Sequence, residues 1–156
     1  MSNDKLFIEC KYFNDGDTIP IDYTGRGKDL SPEFTLHNLP PETQTIAIIM
    51  HDIKHHIFGI FNHWVIWNIP AQEIIPGGIP TGEILPDLGN AVQGIGYGRH
   101  RYAGPKPPKG KQHIYRFTFF ALRQRIELKS SAKKKQLLQA IEPYIIQSAN
   151  ISGRYE

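Results

Sequence analysis

Four side chains scattered along the sequence could act together on a small anion: Asp52, His63, His113 and Tyr115. Each stands at or beside the end of an apolar run. Asp52 follows the run at 45–50, His63 opens the run at 64–69, and His113 and Tyr115 open the run at 114–122. If those runs are neighbouring strands of one sheet with aligned ends, a carboxylate, two imidazoles and a phenol surround one hollow, where sandwich proteins display sites. An imidazole with an ordinary pKa near ~6.5 donates from one or both nitrogens at neutral pH, and the phenol adds a donor. The carboxylate has no direct use toward an anion; its expected role is to orient an imidazole and favour the protonated form. A glycine- and proline-rich loop at 104–110 supplies a stiff wall, and its glycines allow backbone N–H groups to approach a ligand. The alternative at each position is a histidine whose nitrogens are satisfied at a sheet edge.

Other chemistries are weaker in the sequence. His51, His55, His56 and His63 suggest a metal cluster, but their spacing matches no helix-borne ligand motif, and a histidine-rich polar loop is the preferred reading. Gly94-Ile95-Gly96-Tyr97-Gly98 has the look of a dinucleotide loop without the preceding strand and following helix. No Gly-x-Ser-x-Gly elbow is present, and Cys10 reads as a buried thiol rather than a nucleophile. Lys133-Lys134-Lys135 reads as the solvated face of a helix. No cofactor and no metal is expected.

The elements that must position these groups are mostly strands. With 14 Gly and 12 Pro in 156 residues, the chain is cut into short segments rich in Ile, Val, Phe and Tyr. Strands are predicted at 5–13, 19–23, 34–36, 45–50, 64–69, 114–122 and 149–155. The run at 45–50 is apolar on both faces and predicts a central strand buried on both sides. Alternation puts His63, Val65, Trp67 and Ile69 on one face of the next strand, and Trp64, Ile66 and Asn68 on the other. In the strand at 114–122, His113, Tyr115, Phe117 and Phe119 share a face. The span from 70 to 110 exceeds ordinary loop lengths and reads as functional. A helix follows Lys129, with Ser130 or Ser131 as N-cap and a stripe of Leu137, Leu138, Ile141 and Ile145; Pro143 interrupts it. The fold class is therefore mainly β, with few helices.

Length fits a single domain over 1–156. A net charge of +3 is too small to imply nucleic acid as a partner. No apolar run approaches the ~20 residues of a membrane span, and no signal peptide is visible. With one cysteine there is no intramolecular disulfide, so a cytoplasmic location is expected.

Longer motifs tie these pieces together. Asp15-Gly16-Asp17-Thr18-Ile19-Pro20, Leu30-Ser31-Pro32-Glu33-Phe34, His63-Trp64-Val65-Ile66-Trp67-Asn68-Ile69-Pro70, Tyr102-Ala103-Gly104-Pro105-Lys106-Pro107-Pro108-Lys109-Gly110, His113-Ile114-Tyr115-Arg116-Phe117 and Ile151-Ser152-Gly153-Arg154-Tyr155 occur in this order. In that order and spacing the chain resembles the phosphatidylethanolamine-binding protein family, in particular its bacterial and archaeal Raf-kinase-inhibitor-like branch. The resemblance implies an antiparallel β-sandwich with a few short helices, one near the C-terminus. It also implies a pocket for small anions such as phosphorylated head groups. Carried over residue by residue, that pocket falls on Asp52, His63, Gly104, Pro105, Pro107, Pro108, His113 and Tyr115. It implies too a regulatory or inhibitory role toward a kinase or protease; with no identifiable nucleophile or metal set in the sequence, catalysis is not expected. Two alternatives stand beside it: a phosphoester-processing enzyme using His/Asp acid–base chemistry, and an interaction protein with a vestigial pocket. The chain departs from the family's Asp-Pro-Asp-Ala-Pro motif, reading Asp52-Ile53-Lys54-His55-His56, so an ammonium replaces the second carboxylate. The ligand, the protein partner and the oligomeric state are left open.

Overall fold

A computed structural model of the chain describes residues 4–53 and 61–156. Lys54, His55 and His56 lie outside the described residues, and so do the substituted motif beyond Ile53 and most of the histidine-rich segment.

The long apolar run forms β3 (Thr45–Asp52), all eight residues of which are buried. It lies between β4 (Phe61–Pro70) and β8 (His113–Leu122) in a six-stranded antiparallel sheet, which β7 (Ala91–Gln93) and β6 (Ile84–Leu85) extend on one side and β9 (Ile145–Tyr155) on the other. A second sheet is formed by β1 (Phe7–Cys10), β2 (Phe34–His37) and β5 (Ile74–Ile75). The two sheets enclose the main core: Ile8, Phe34, Leu36 and Ile75 from the small sheet meet Ile46, Ile48, Met50, Trp64, Phe117 and Phe119 from the large one. The outer face of the large sheet carries Ala47, Ile49, Val65 and Trp67 and is covered by Leu137 and Ile141 of α1 (Lys134–Ile141). Sandwich on one side and helix on the other explain why β3 is buried at every position and apolar from Ile46 to Met50. Fully burying one such Ile or Phe contributes about 1.5–3 kcal/mol. Among the described residues no helix is long and apolar enough to cross a membrane.

Several boundaries differ from the sequence reading. The segment at 19–23 is not a strand: Pro20 precedes a 3-10 turn, Ile21–Tyr23, closed by the Thr24 hydroxyl donating to the Ile21 carbonyl at 2.8 Å. The span from 70 to 110 is not one long loop; it contains β5, β6 and β7. Neither Ser130 nor Ser131 caps α1. The helix begins after Lys133, whose backbone N–H donates to the Gln136 side chain at 3.0 Å, while the Ser130 hydroxyl donates to Glu83 at 2.6 Å. Pro143 sits in a 3-10 turn, Glu142–Tyr144, that ends α1, and Ile145 already belongs to β9.

The β3–β4 pairing breaks strict alternation twice. Ile46 pairs with Ile69 but Ile48 with Ile66, so Ala47 faces two residues, Trp67 and Asn68. Asn68 takes the extra step with a left-handed backbone (φ 61°). Its amide bonds the Ile126 main chain in both directions, Nδ2 donating at 2.9 Å and Oδ1 accepting at 2.7 Å. Ile69 therefore turns into the inter-sheet core with Trp64 and Ile66, away from Trp67, contrary to simple alternation. The second break falls between Met50–Trp64 and His51–Asn62, leaving His63 as the unopposed residue of a bulge.

Candidate functional site

β3, β4 and β8 are antiparallel neighbours, so the end of β3 adjoins the beginnings of the other two. Asp52 lies directly across from Tyr115. On β8, His113 is two residues earlier and therefore on the same face as Tyr115 and the core residue Phe117. His63 would face the helix side by alternation; the bulge turns its ring against Tyr115, with centroids 5.1 Å apart and planes nearly perpendicular. These four side chains line one cavity of about 480 Å³. Gly104, Pro107 and Pro108 line it too, whereas Pro105 does not reach its wall and instead accepts the Gly25 N–H at 2.9 Å.

The floor is polar and tightly connected. Asp52, 2% exposed, accepts from His113 Nδ1 at 2.5 Å. The carboxylate thus fixes the imidazole's orientation and makes Nδ1 the donor. His63 Nδ1 donates to the Ala103 carbonyl at 2.7 Å, while the Ala103 N–H donates back to the His63 carbonyl at 3.1 Å. Burial, then the neighbouring Asp52 carboxylate, pushes the Tyr115 phenol well above its usual pKa. It stays protonated at neutral pH and remains a donor.

Residues the sequence reading missed build the rim. Asp29 is the clamp of the proline-rich loop: its Oδ1 accepts the Gly104 N–H at 2.7 Å and its Oδ2 holds Arg101 at 2.6 Å. Arg26 donates to the Pro107 carbonyl at 2.5 Å. A Cβ on Gly104 would lie 2.5 Å from the Tyr23 carbonyl oxygen, so only glycine allows the loop to lie this close to residues 23–29. Arg99, Arg101 and Lys106 bring positive charge to the cavity wall, against Asp29 and Asp52. One signal for part of this was in view. The glycine-rich run at 94–98, set aside as a false dinucleotide loop, carries Gly96 and Tyr97 onto the cavity wall. Asp29, by contrast, had no motif to mark it.

His51 does not join this group. One residue before Asp52, it faces the helix side of the sheet, buried, with Arg116 opposite it on β8. Burial, with Lys134 and Arg116 adding positive charge, lowers its pKa to about 4. Among the described residues no three His, Cys, Asp or Glu side chains gather as a metal set.

Comparison with known proteins agrees with this architecture. The family model for phosphatidylethanolamine-binding protein matches residues 10–156. A UPF0098 protein of Pyrococcus horikoshii is 37% identical over 147 residues, covering 92% of this chain and 73% of its own. The crystal structure of E. coli YbcL, described as a new member of the mammalian PEBP family, superposes with a TM-score of 0.86 at 25% identity, over 98% of this chain and 99% of that one. A carboxypeptidase Y inhibitor, solved in complex with its cognate proteinase, shares the fold at a TM-score of 0.59 and 15% identity, over 97% of this chain and 83% of its own. The chain belongs to the phosphatidylethanolamine-binding protein family.

Proposed function

We propose that the cavity binds a small oxyanion, such as the phosphate of a phosphorylated head group, and that the protein acts by binding rather than by catalysis. The observation that carries this is the floor: His113 held by Asp52 at 2.5 Å, beside His63 and Tyr115, in a cavity walled by Arg99, Arg101 and Lys106. Imidazole and phenol donors over a basic wall satisfy an anion's lone pairs, and the orienting carboxylate sits behind the imidazole. Asp52, His63, Gly104, Pro107, Pro108, His113 and Tyr115 are the proposed binding residues, with Pro105 supporting the loop from behind. A regulatory or inhibitory role toward a kinase or protease, in the cytoplasm, completes the proposal. The protease part of that role is in keeping with the inhibitor of similar fold solved in complex with its proteinase.

Thermal unfolding with and without inorganic phosphate tests the reading. A ligand that prefers the folded state raises Tm, by an amount equivalent to about 2.7 kcal/mol at a hundredfold excess over Kd. The rise is expected in the native protein and should be absent in His113→Ala. No shift with phosphate or acetate would leave a vestigial pocket as the better account. The His113–Asp52 pair also has the form of an acid–base dyad, which favours one second reading, phosphoester turnover. Hydrolysis of a phosphoester panel, lost in both His63→Ala and His113→Ala, would establish that reading instead.

A further inference from the structure

The helix side of the large sheet carries a second polar cluster, built from the face opposite to the cavity. Strand pairing aligns Asn62, His51, Arg116 and Ser152 in one row across β4, β3, β8 and β9. Residues opposed in this way share a face, with Cβ atoms about 5 Å apart. The face is the one that α1 covers, because Ile49, two residues before His51, and Phe120, four after Arg116, both pack beneath the helix. The N-terminal end of α1 is tied to the same row. Asn62 Nδ2 donates to the Ile95 carbonyl at 2.8 Å, and the Ile95 N–H donates to the Ala132 carbonyl at 2.9 Å, two residues before Lys134.

The row is not satisfied from within the protein. Asn62 Oδ1, His51 Nδ1 and Arg116 Nε are all buried, and none has a hydrogen-bond partner among the described residues. Buried polar groups are nearly always bonded to protein, water or an ion, so three orphans in one row point to an occupant. Charge says of what kind. Neither Arg116 nor Lys134 has an ion pair among the described residues. His51, nine-tenths buried, is held neutral by burial and then by the Lys134 and Arg116 charges, with His63 adding to them and Asp52 opposing. Asp52 does not serve as their counter-ion, since it lines the cavity and accepts from His113. Uncompensated cations at a partly buried place cost free energy that one anion recovers. The orphan atoms are closed to solvent, which favours a monoatomic ion over a tetrahedral oxyanion. The flank is open: Arg116 and Lys134 are only half-buried, and Asn150 and Arg154 of β9 are exposed.

We propose that Asn62, His51, Arg116 and Lys134 form a halide site, filled by chloride in solution. Arg116 Nε–H and the Lys134 ammonium donate to the ion, and the neutral His51 imidazole offers its one N–H. Asn62 Oδ1, an acceptor, takes a water that the chloride retains. The site stands whether or not the cavity binds phosphate.

Bromide, a heavier stand-in for chloride, tests the place, and thermal unfolding tests the energetics. Crystals grown in sodium bromide should show an anomalous bromine peak beside Arg116 Nε and His51. At constant ionic strength, exchanging chloride for the bulky anion gluconate should lower the native Tm by about 3–6 °C, the equivalent of a tenfold excess of chloride over Kd. His113→Ala, which alters the cavity floor, should lose the same amount. Arg116→Gln and Lys134→Gln should lose little or nothing, and Lys134, half-exposed at the start of α1, can be replaced without opening the core. A bromide peak with a Tm indifferent to the exchange would mean an adventitious ion only and would overturn the inference. So would a chloride effect that vanishes in His113→Ala, which places the ion in the cavity, or one that survives in both Arg116→Gln and Lys134→Gln. No bromide peak at this row would overturn it too, whatever the Tm does.

Discussion

His51 and Asp52 are adjacent in sequence and opposite in consequence. Asp52 faces the cavity and orients His113; His51 faces the helix side, where burial and the Lys134 and Arg116 charges hold it neutral. Its folded pKa of about 4 lies below the ordinary 6.5 of an unfolded chain. The unfolded state therefore takes up a proton that the folded state refuses, and stability falls as pH drops from about 6.5 toward 4. The size of the effect is about 2–3 kcal/mol across that window. Urea unfolding at pH 7.5 and pH 4.5 should show this loss in the native protein and a clearly smaller loss in His51→Gln. An unchanged pH dependence in the variant would mean that His51 is charged in the fold.

At the scale of elements, the bulges matter more than the strands. Val65 and Trp67 face α1 while Trp64, Ile66 and Ile69 face the small sheet, an arrangement that needs the extra residue Asn68. The turn at Asn68 is held by two hydrogen bonds to the Ile126 main chain at 2.7 and 2.9 Å, in a buried place where lost partners are costly. Asn68→Ala should cost about 2–4 kcal/mol, from unpaired Ile126 groups and a left-handed Cβ. Asn68→Gly removes the second contribution and keeps the first, so it should fall between Ala and native in chemical denaturation. If Gly and Ala are equally destabilised, the backbone conformation carries no cost. The second bulge works the same way for the site: without it His63 would point at α1 instead of Tyr115.

For the molecule as a whole, charge is modest but unevenly spread. Net charge is +3, yet the cavity wall alone draws on Arg99, Arg101 and Lys106. Arg101 is already paired with Asp29, leaving the attraction for an anion to Arg99, Lys106 and the donors on the floor. Part of that attraction is screened by salt, because the Debye length shrinks from about 10 Å at 0.1 M to about 3 Å at 1 M. Phosphate affinity, measured by titration, should therefore fall about threefold or more between those conditions, while the hydrogen-bonded floor keeps it from vanishing. Salt-independent affinity would show that the rim contributes nothing and that binding is local to His113 and its neighbours.

Runs of apolar residues determined much of this protein without help from tertiary structure. The doubly buried β3, the shared face of His113, Tyr115 and Phe117, and the placing of Asp52 and His113 at strand ends follow from period and burial alone, whereas His63, read as opening its strand, lies two residues inside β4. Motif order was enough for the family. What alternation could not supply is any residue whose direction depends on a break in alternation: Ile69 and His63 both turned the other way, because a bulge is a property of two paired strands and not of either one. Nor could it find Asp29, whose partners Arg101 and Gly104 are more than seventy positions away, or the left-handed backbone at Tyr97 on the cavity wall. Local sequence records which residues prefer to be buried and extended. Which loops then meet, and which single residues are left over when strands pair, is decided only when the sheets close around a common core.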